Sequence, residues 1–88
     1  MTAEGSILTA CRALADRPGG TVRLADLRER LSDWMDADAV NRTLIELDRA
    51  RVIQLDPDPD RAGLTSSDRA AAVNLGGQEM HLMCEVTW

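Results

Sequence analysis

The chain has 88 residues, of which 44% are hydrophobic and 28% are charged. This length suits one domain with a single core and excludes an enzyme built from separate cofactor and substrate domains. Acidic residues outnumber basic ones by 15 to 10, giving a net charge of -5, and the composition is that of a globular domain. No apolar run is long enough to span a membrane, and residues 1–6 lack the features of a secretory signal, so we expect a cytoplasmic protein.

Three amphipathic patterns in the N-terminal half each predict a helix. The first covers about residues 2–17 and ends at Pro18, and the second covers residues 24–31 after a strand stub at 21–23. Asp36 is suited to cap a third helix, which runs to about residue 50. The apolar positions at helical spacing in these stretches are Ile7, Leu8, Cys11, Leu14, Leu24, Leu27, Leu31, Val40, Leu44 and Leu47.

In the C-terminal half, the spacing of apolar residues changes from the helical period to the alternation of a strand. Alternating side chains predict a strand over residues 52–55, which the Asp-Pro repeat at 56–60 ends. Thr65-Ser66-Ser67-Asp68 has the form of a capping box and predicts a helix over about 66–75, closed by Gly76-Gly77. Residues 80–86 predict a second strand whose apolar face carries Met80, Leu82, Cys84 and Val86. Because a lone strand leaves backbone groups unpaired, we expect the two strands to pair antiparallel.

This order of elements predicts an α+β fold: three helices plus a β-hairpin, as one domain over residues 1–88. The run LADLRERL, a turn, DADAVNRTLIELDRARVIQL and DPDPDR, spanning Leu24 to Arg61, resembles the winged-helix domain of MarR-like bacterial regulators. The resemblance covers about half of the chain. It implies a winged helix-turn-helix in which the third helix is the recognition helix and the hairpin is the wing.

Two features depart from that family pattern. Arg51 stands where the family has a glycine that ends the recognition helix in the left-handed conformation. The family's wing is a tight basic hairpin, whereas here about two dozen residues separate the two strands and include a predicted short helix.

The resemblance implies a DNA-binding transcriptional regulator. On the outer face of the third helix, Asn41, Arg42 and Arg49 are suited to base edges or phosphates, and Arg61 and Arg69 would contact the DNA backbone from the wing. The charge of the chain argues against DNA binding, because few cations are available and carboxylates at the start of the third helix repel phosphate. These carboxylates belong to Asp33, Asp36 and Asp38.

The alternative is an acidic adaptor subunit that binds a protein and no DNA. Its interface would use the third helix and the helical wing, with Ile45 as an apolar anchor. Trp34 is apolar and outside the helical stripes, but we expect it to complete the core between the second and third helices. Any homodimer would have to use the first helix or the last strand, since the chain has no additional dimerisation helix.

Catalysis and metal binding have the least support in the sequence. His81 and Cys84 are three apart on a predicted strand, which places them on opposite faces and prevents them from sharing an ion or forming a nucleophile–base pair. We expect Cys84 to be buried and His81 to point outward or to contact a neighbouring strand. The aspartates at 56, 58 and 60 lack the glycine and glutamate of a calcium loop. We therefore expect no enzyme activity, no metal and no cofactor.

Overall fold

Four α-helices and two small antiparallel sheets make up the part of the chain that the computed structural model describes, residues 2–86. The helices are α1 (Ala3–Leu14), α2 (Leu24–Leu31), α3 (Ala37–Arg49) and α4 (Ser66–Ala71), with a 3₁₀ turn at Arg61–Gly63. The strands are β1 (Val22–Arg23), β2 (Ile53–Asp56), β3 (Val73–Leu75), β4 (Gln78–Met80) and β5 (Leu82–Glu85). The α+β class predicted from the sequence is confirmed.

The first three helices form where their apolar stripes were predicted, with changes at the ends. α2 has the predicted bounds, and α3 begins after Asp36, whose carboxylate accepts the Ala39 N–H at 2.8 Å. α1 is shorter than the predicted 2–17, because Ala15 is already extended at ψ 142°. Pro18 disfavours helical backbone at Arg17, the residue before it, but this effect does not reach Ala15.

α3 ends in a Schellman motif. Arg51 has a φ of +62°, the Val52 N–H donates to the Leu47 carbonyl, and the Arg51 N–H donates to the Asp48 carbonyl, both at 3.0 Å. The chain therefore retains the left-handed helix end without the glycine that best adopts it.

A three-stranded sheet in the order β1-β5-β2 closes the core opposite the helices. The predicted antiparallel pairing of the two long strands is confirmed, with Leu55 opposite Met83 and Gln54 opposite Cys84. The predicted inner face of the last strand is wrong by one residue: Met83 is completely buried, whereas Cys84 is half-buried and paired with exposed Gln54. On the two neighbouring strands, Val22 and Leu55 lie opposite Met83, and both are buried. Their positions make the Met83 side of β5 the face that packs on the core.

The predicted helix over 66–75 and strand over 80–86 are each divided in the structure. The capping box is confirmed, with Thr65 and Asp68 bonding reciprocally, but α4 ends at Ala71. Residues 73–75 then pair with 78–80 as a second hairpin. Gly76 and Gly77, with φ of +61° and +82°, form its two-residue turn instead of ending a helix.

His81 separates β4 from β5 and is 5% exposed, so it does not point outward. The backbone N–H of His81 donates to the Asp56 carbonyl at 2.9 Å, and the backbone carbonyl of His81 accepts the Leu24 N–H at 3.0 Å. Its Nδ1 accepts the Asp58 N–H at 3.1 Å. His81 thus fastens the acidic loop to the sheet and to the start of α2. Trp88, one of the apolar residues outside the predicted stripes, lies beyond the described residues.

Candidate interaction surfaces

The outer face of α3 holds four of the residues predicted to bind DNA or a partner. Arg42 and Arg49 are exposed and, within residues 2–86, neither forms an ion pair. Ile45 is half-buried and packs against the core, so it offers only part of its side chain to a partner. Asn41 is half-buried, and its Oδ1 accepts a hydrogen bond from the guanidinium of Arg28.

Carboxylates surround these arginines. Within α3 the side chains of Asp38, Glu46 and Asp48 offset those of Arg42 and Arg49. Ahead of the helix, residues 33 and 36 are exposed aspartates. The outer face of α3 is therefore neutral to acidic and does not form a basic stripe.

Arg28 ties the second helix to both of its neighbours. Its Nε donates to the Ala71 carbonyl at 2.8 Å, at the end of α4, and its Nη2 donates to Asn41 on α3. Burial lowers the pKa of this guanidinium. The carbonyl oxygen of the Asn41 amide is thus already hydrogen-bonded within the protein.

An ion pair between Arg23 and Asp68 holds α4 against the start of α2. Asp68 is buried and also accepts hydrogen bonds from the N–H and hydroxyl of Thr65, both at 3.0 Å. Its bonds with Arg23, followed by those from Thr65, lower the pKa of the Asp68 carboxyl to about 2. The segment between β2 and β5 is therefore anchored to the helices by a charged contact.

Arg61 and Arg69, the remaining predicted site residues, come together at one small cavity. They line it with Leu64, Glu79 and His81, and its volume is about 190 Å³. Both arginines are exposed, and neither belongs to an ion pair in the described part of the chain. The structure thus groups these two residues but gives them a neighbour, His81, that sequence reasoning had excluded from any site.

Trp34 is the surface feature that sequence reasoning missed. It is 79% exposed, the most exposed large apolar side chain among residues 2–86, so its expected place in the core is wrong. The reason is local: α2 ends at Leu31, and the following turn leaves Met35 to pack against the core in place of Trp34.

A cavity of about 420 Å³ lies beside the indole of Trp34, between the first two helices. Small side chains of α1 form one wall and α2 forms the other. Its remaining lining residues are Ser6, Thr9, Ala10, Arg30 and Leu31. A large rigid apolar side chain next to a groove is the arrangement that protein interfaces use as an anchor.

The cysteines occupy structural positions. Cys11 is buried in the core, and burial is the main reason that the pKa of its thiol is raised. Beside it, Arg12 donates to the Glu85 carboxylate at 3.0 and 2.6 Å, which lowers the pKa of that carboxyl. Cys84 lies on the opposite face of β5 from Met83. Over residues 2–86, no three histidine, cysteine, aspartate or glutamate side chains come close enough to hold a metal ion.

Comparisons with protein-family models, with curated proteins and with solved structures find no match to this chain. None of the described helices is long and apolar enough to cross a membrane.

Proposed function

We propose that this chain is a winged-helix adaptor that binds a protein partner through the surface around Trp34. Its element order supports the winged-helix part of the proposal. A short strand between α1 and α2 is followed by α3, β2 and β5, and the sheet order is β1-β5-β2. Residues 57–81 take the position of the wing, enlarged by α4 and the second hairpin.

Charge favours a protein over nucleic acid as the partner. Binding to a duplex draws most of its affinity from phosphate neutralisation by several cations at once. Here α3 carries three carboxylates against two guanidinium groups, and Arg12 and Arg23 are already paired within the fold. A chain with a net charge of -5 instead attracts a partner with a basic surface.

Exposure of Trp34 is the observation that carries the proposal. Burying a tryptophan removes about 150–250 Å² from water, which makes it one of the strongest anchors at protein interfaces. The adjoining groove gives a partner's apolar side chains a place beside the indole. We therefore place the adaptor interface beside α1 and α2, where Trp34 is exposed, and not on α3, where Ile45 is half-buried.

Photo-crosslinking in the host cell tests this function. A benzoylphenylalanine at position 30, which is exposed and lines the groove beside Trp34, should form a covalent adduct with one discrete protein, whereas the same group at position 46, exposed on α3, should not. The purified partner should then bind Trp34→Ala at least about 30-fold more weakly than the original chain, as expected for an anchor worth about 2 kcal/mol or more. Equal crosslinking from both positions would contradict the proposal.

DNA binding is the second candidate, favoured by Arg42 and Arg49. These exposed side chains are seven residues apart, so they lie on one stripe of α3. Fluorescence anisotropy with a random duplex at low salt tests it. Saturable binding that Arg42→Glu abolishes, with a salt slope of about -2 or steeper, would favour DNA as the partner. No binding at low salt would reject this candidate.

A further inference from the structure

We propose that the cavity lined by Arg61, Arg69 and His81 binds a small oxyanion of the phosphate class. This site is separate from the Trp34 surface and does not depend on the partner proposed there. Its volume of about 190 Å³ leaves room for a tetrahedral oxyanion.

His81 supplies a fixed donor at the wall of the cavity. It is 5% exposed, and its Nδ1 is occupied as acceptor of the Asp58 N–H at 3.1 Å. The neutral ring therefore carries its proton on Nε2. Nε2 has no hydrogen-bond partner within residues 2–86. Since no fully buried side-chain nitrogen there lacks a partner, this N–H keeps some exposure, on a residue that lines the cavity.

Arg61 and Arg69 supply the charge. They reach the same cavity from the 3₁₀ turn and from α4, and no carboxylate of the described chain lies within 4.0 Å of either guanidinium. Two arginines and one histidine thus line the same cavity, and guanidinium and imidazole N–H groups are donors that proteins use to hold phosphate and sulfate groups. Leu64 forms the apolar part of the wall.

Nearby carboxylates limit how strongly this site can bind an anion. Asp58 and Asp60 each direct one oxygen to loop backbone, accepting the N–H groups of residues 60 and 63 at 2.9 and 3.1 Å. Glu79 lines the cavity itself but lies beyond ion-pair distance of both arginines. Its charge opposes an incoming anion, so its removal should strengthen binding. Removing the charge of Glu79 and removing the charge of Arg69 should therefore change the affinity for an anion in opposite directions.

The test is a titration of the full chain with inorganic phosphate at constant ionic strength, followed by amide and imidazole NMR shifts. The original chain should show saturable shifts centred on residues 61–69 and on the His81 ring. Arg69→Gln should weaken binding about tenfold or more, consistent with loss of one charge-assisted hydrogen bond. Glu79→Gln should tighten it several-fold. Arg42→Gln, which removes the same charge from α3, should leave the affinity unchanged.

Other titrants and variants complete the test. Phosphoserine added in place of free phosphate distinguishes a phosphomonoester ligand from the free ion, and tighter binding of either one identifies the source. Absence of saturable shifts would overturn the proposal, as would an equal loss in Arg42→Gln and Arg69→Gln. Weaker binding in Glu79→Gln would also overturn it. All three substitutions alter exposed side chains, so loss of folding does not obscure the result.

Discussion

Replacing Arg51 with glycine should stabilise the protein, because Arg51 holds a left-handed conformation at φ +62°. An L-residue loses roughly 1–2 kcal/mol in that region, whereas glycine adopts it freely. Glycine also has more conformational freedom in the unfolded chain, which reduces this gain in stability by roughly 0.5–1 kcal/mol. Arg51 is exposed and belongs to no ion pair among residues 2–86, so loss of its side chain costs little. The net gain is about 0.5–1 kcal/mol.

Urea unfolding followed by circular dichroism measures this gain, and thermal unfolding should show a rise of roughly 2–8 °C for a domain of this size. Two control variants isolate the backbone effect. Arg51→Ala keeps the strain and should change stability by less than about 0.5 kcal/mol. Arg42→Gly, an exposed position inside α3, should lower stability by about 1 kcal/mol. The account of this helix end fails if Arg51→Gly is no more stable than Arg51→Ala.

Three further predictions concern the sheet and its anchors. Because the pKa of Asp68 is lowered from 3.8 to about 2, its contribution to stability is complete above pH 3.8 and disappears as the pH falls towards 2. Asp68→Asn should therefore flatten the dependence of the unfolding free energy on pH in this range. An unchanged pH dependence would argue against the ion pair with Arg23. Met83→Ala should cost about 2–5 kcal/mol and Cys84→Ala less than about 1 kcal/mol in urea unfolding, and equal costs would contradict the register. Gly77→Ala, at φ +82°, should cost about 1 kcal/mol in the same assay, whereas a neutral result would exclude the glycine turn.

Helical periodicity and capping chemistry made the N-terminal half predictable. The stripes of α2 and α3 are regular, and Asp36 caps α3 as its position indicates. Pairing of the two long strands also followed from the sequence, because each strand needs a partner for its backbone groups. At these positions local preference and tertiary packing favour the same structure.

The face of the last strand could not be derived from alternation alone. Residues 82, 83 and 84 are all apolar, so the run fits either face of a half-buried strand. Counting apolar residues favours Leu82 and Cys84, but the partners Val22 and Leu55 select Met83. The choice depends on contacts with strands that are distant in sequence.

The second hairpin did carry a local signal. A two-residue Gly-Gly stretch between Val73-Asn74-Leu75 and Gln78-Glu79-Met80 is typical of a tight β-turn. The capping box upstream favoured extending the helix instead, since alanines at 70–72 suit a helix. Trp34 is a different case: its exposure depends on how the turn after α2 leaves the helix, and no periodic pattern covers it.

The candidate sites were predictable in part. Arg42, Arg49, Arg61 and Arg69 were recognised by residue type, and all four are exposed. Their grouping was not, because the meeting of Arg61 and Arg69 at His81 depends on the fold of residues 57–81. Sequence composition identified the charges of this protein, and only the structure determined which of them share a surface.

The affinity of the purified partner for matched variants tests the proposed adaptor function most directly. Isothermal titration should give a dissociation constant at least about 30-fold weaker for Trp34→Ala and unchanged for Arg42→Ala, with both variants as stable as the original chain. A large loss in Arg42→Ala with little change in Trp34→Ala would place the interface on α3 and contradict the account.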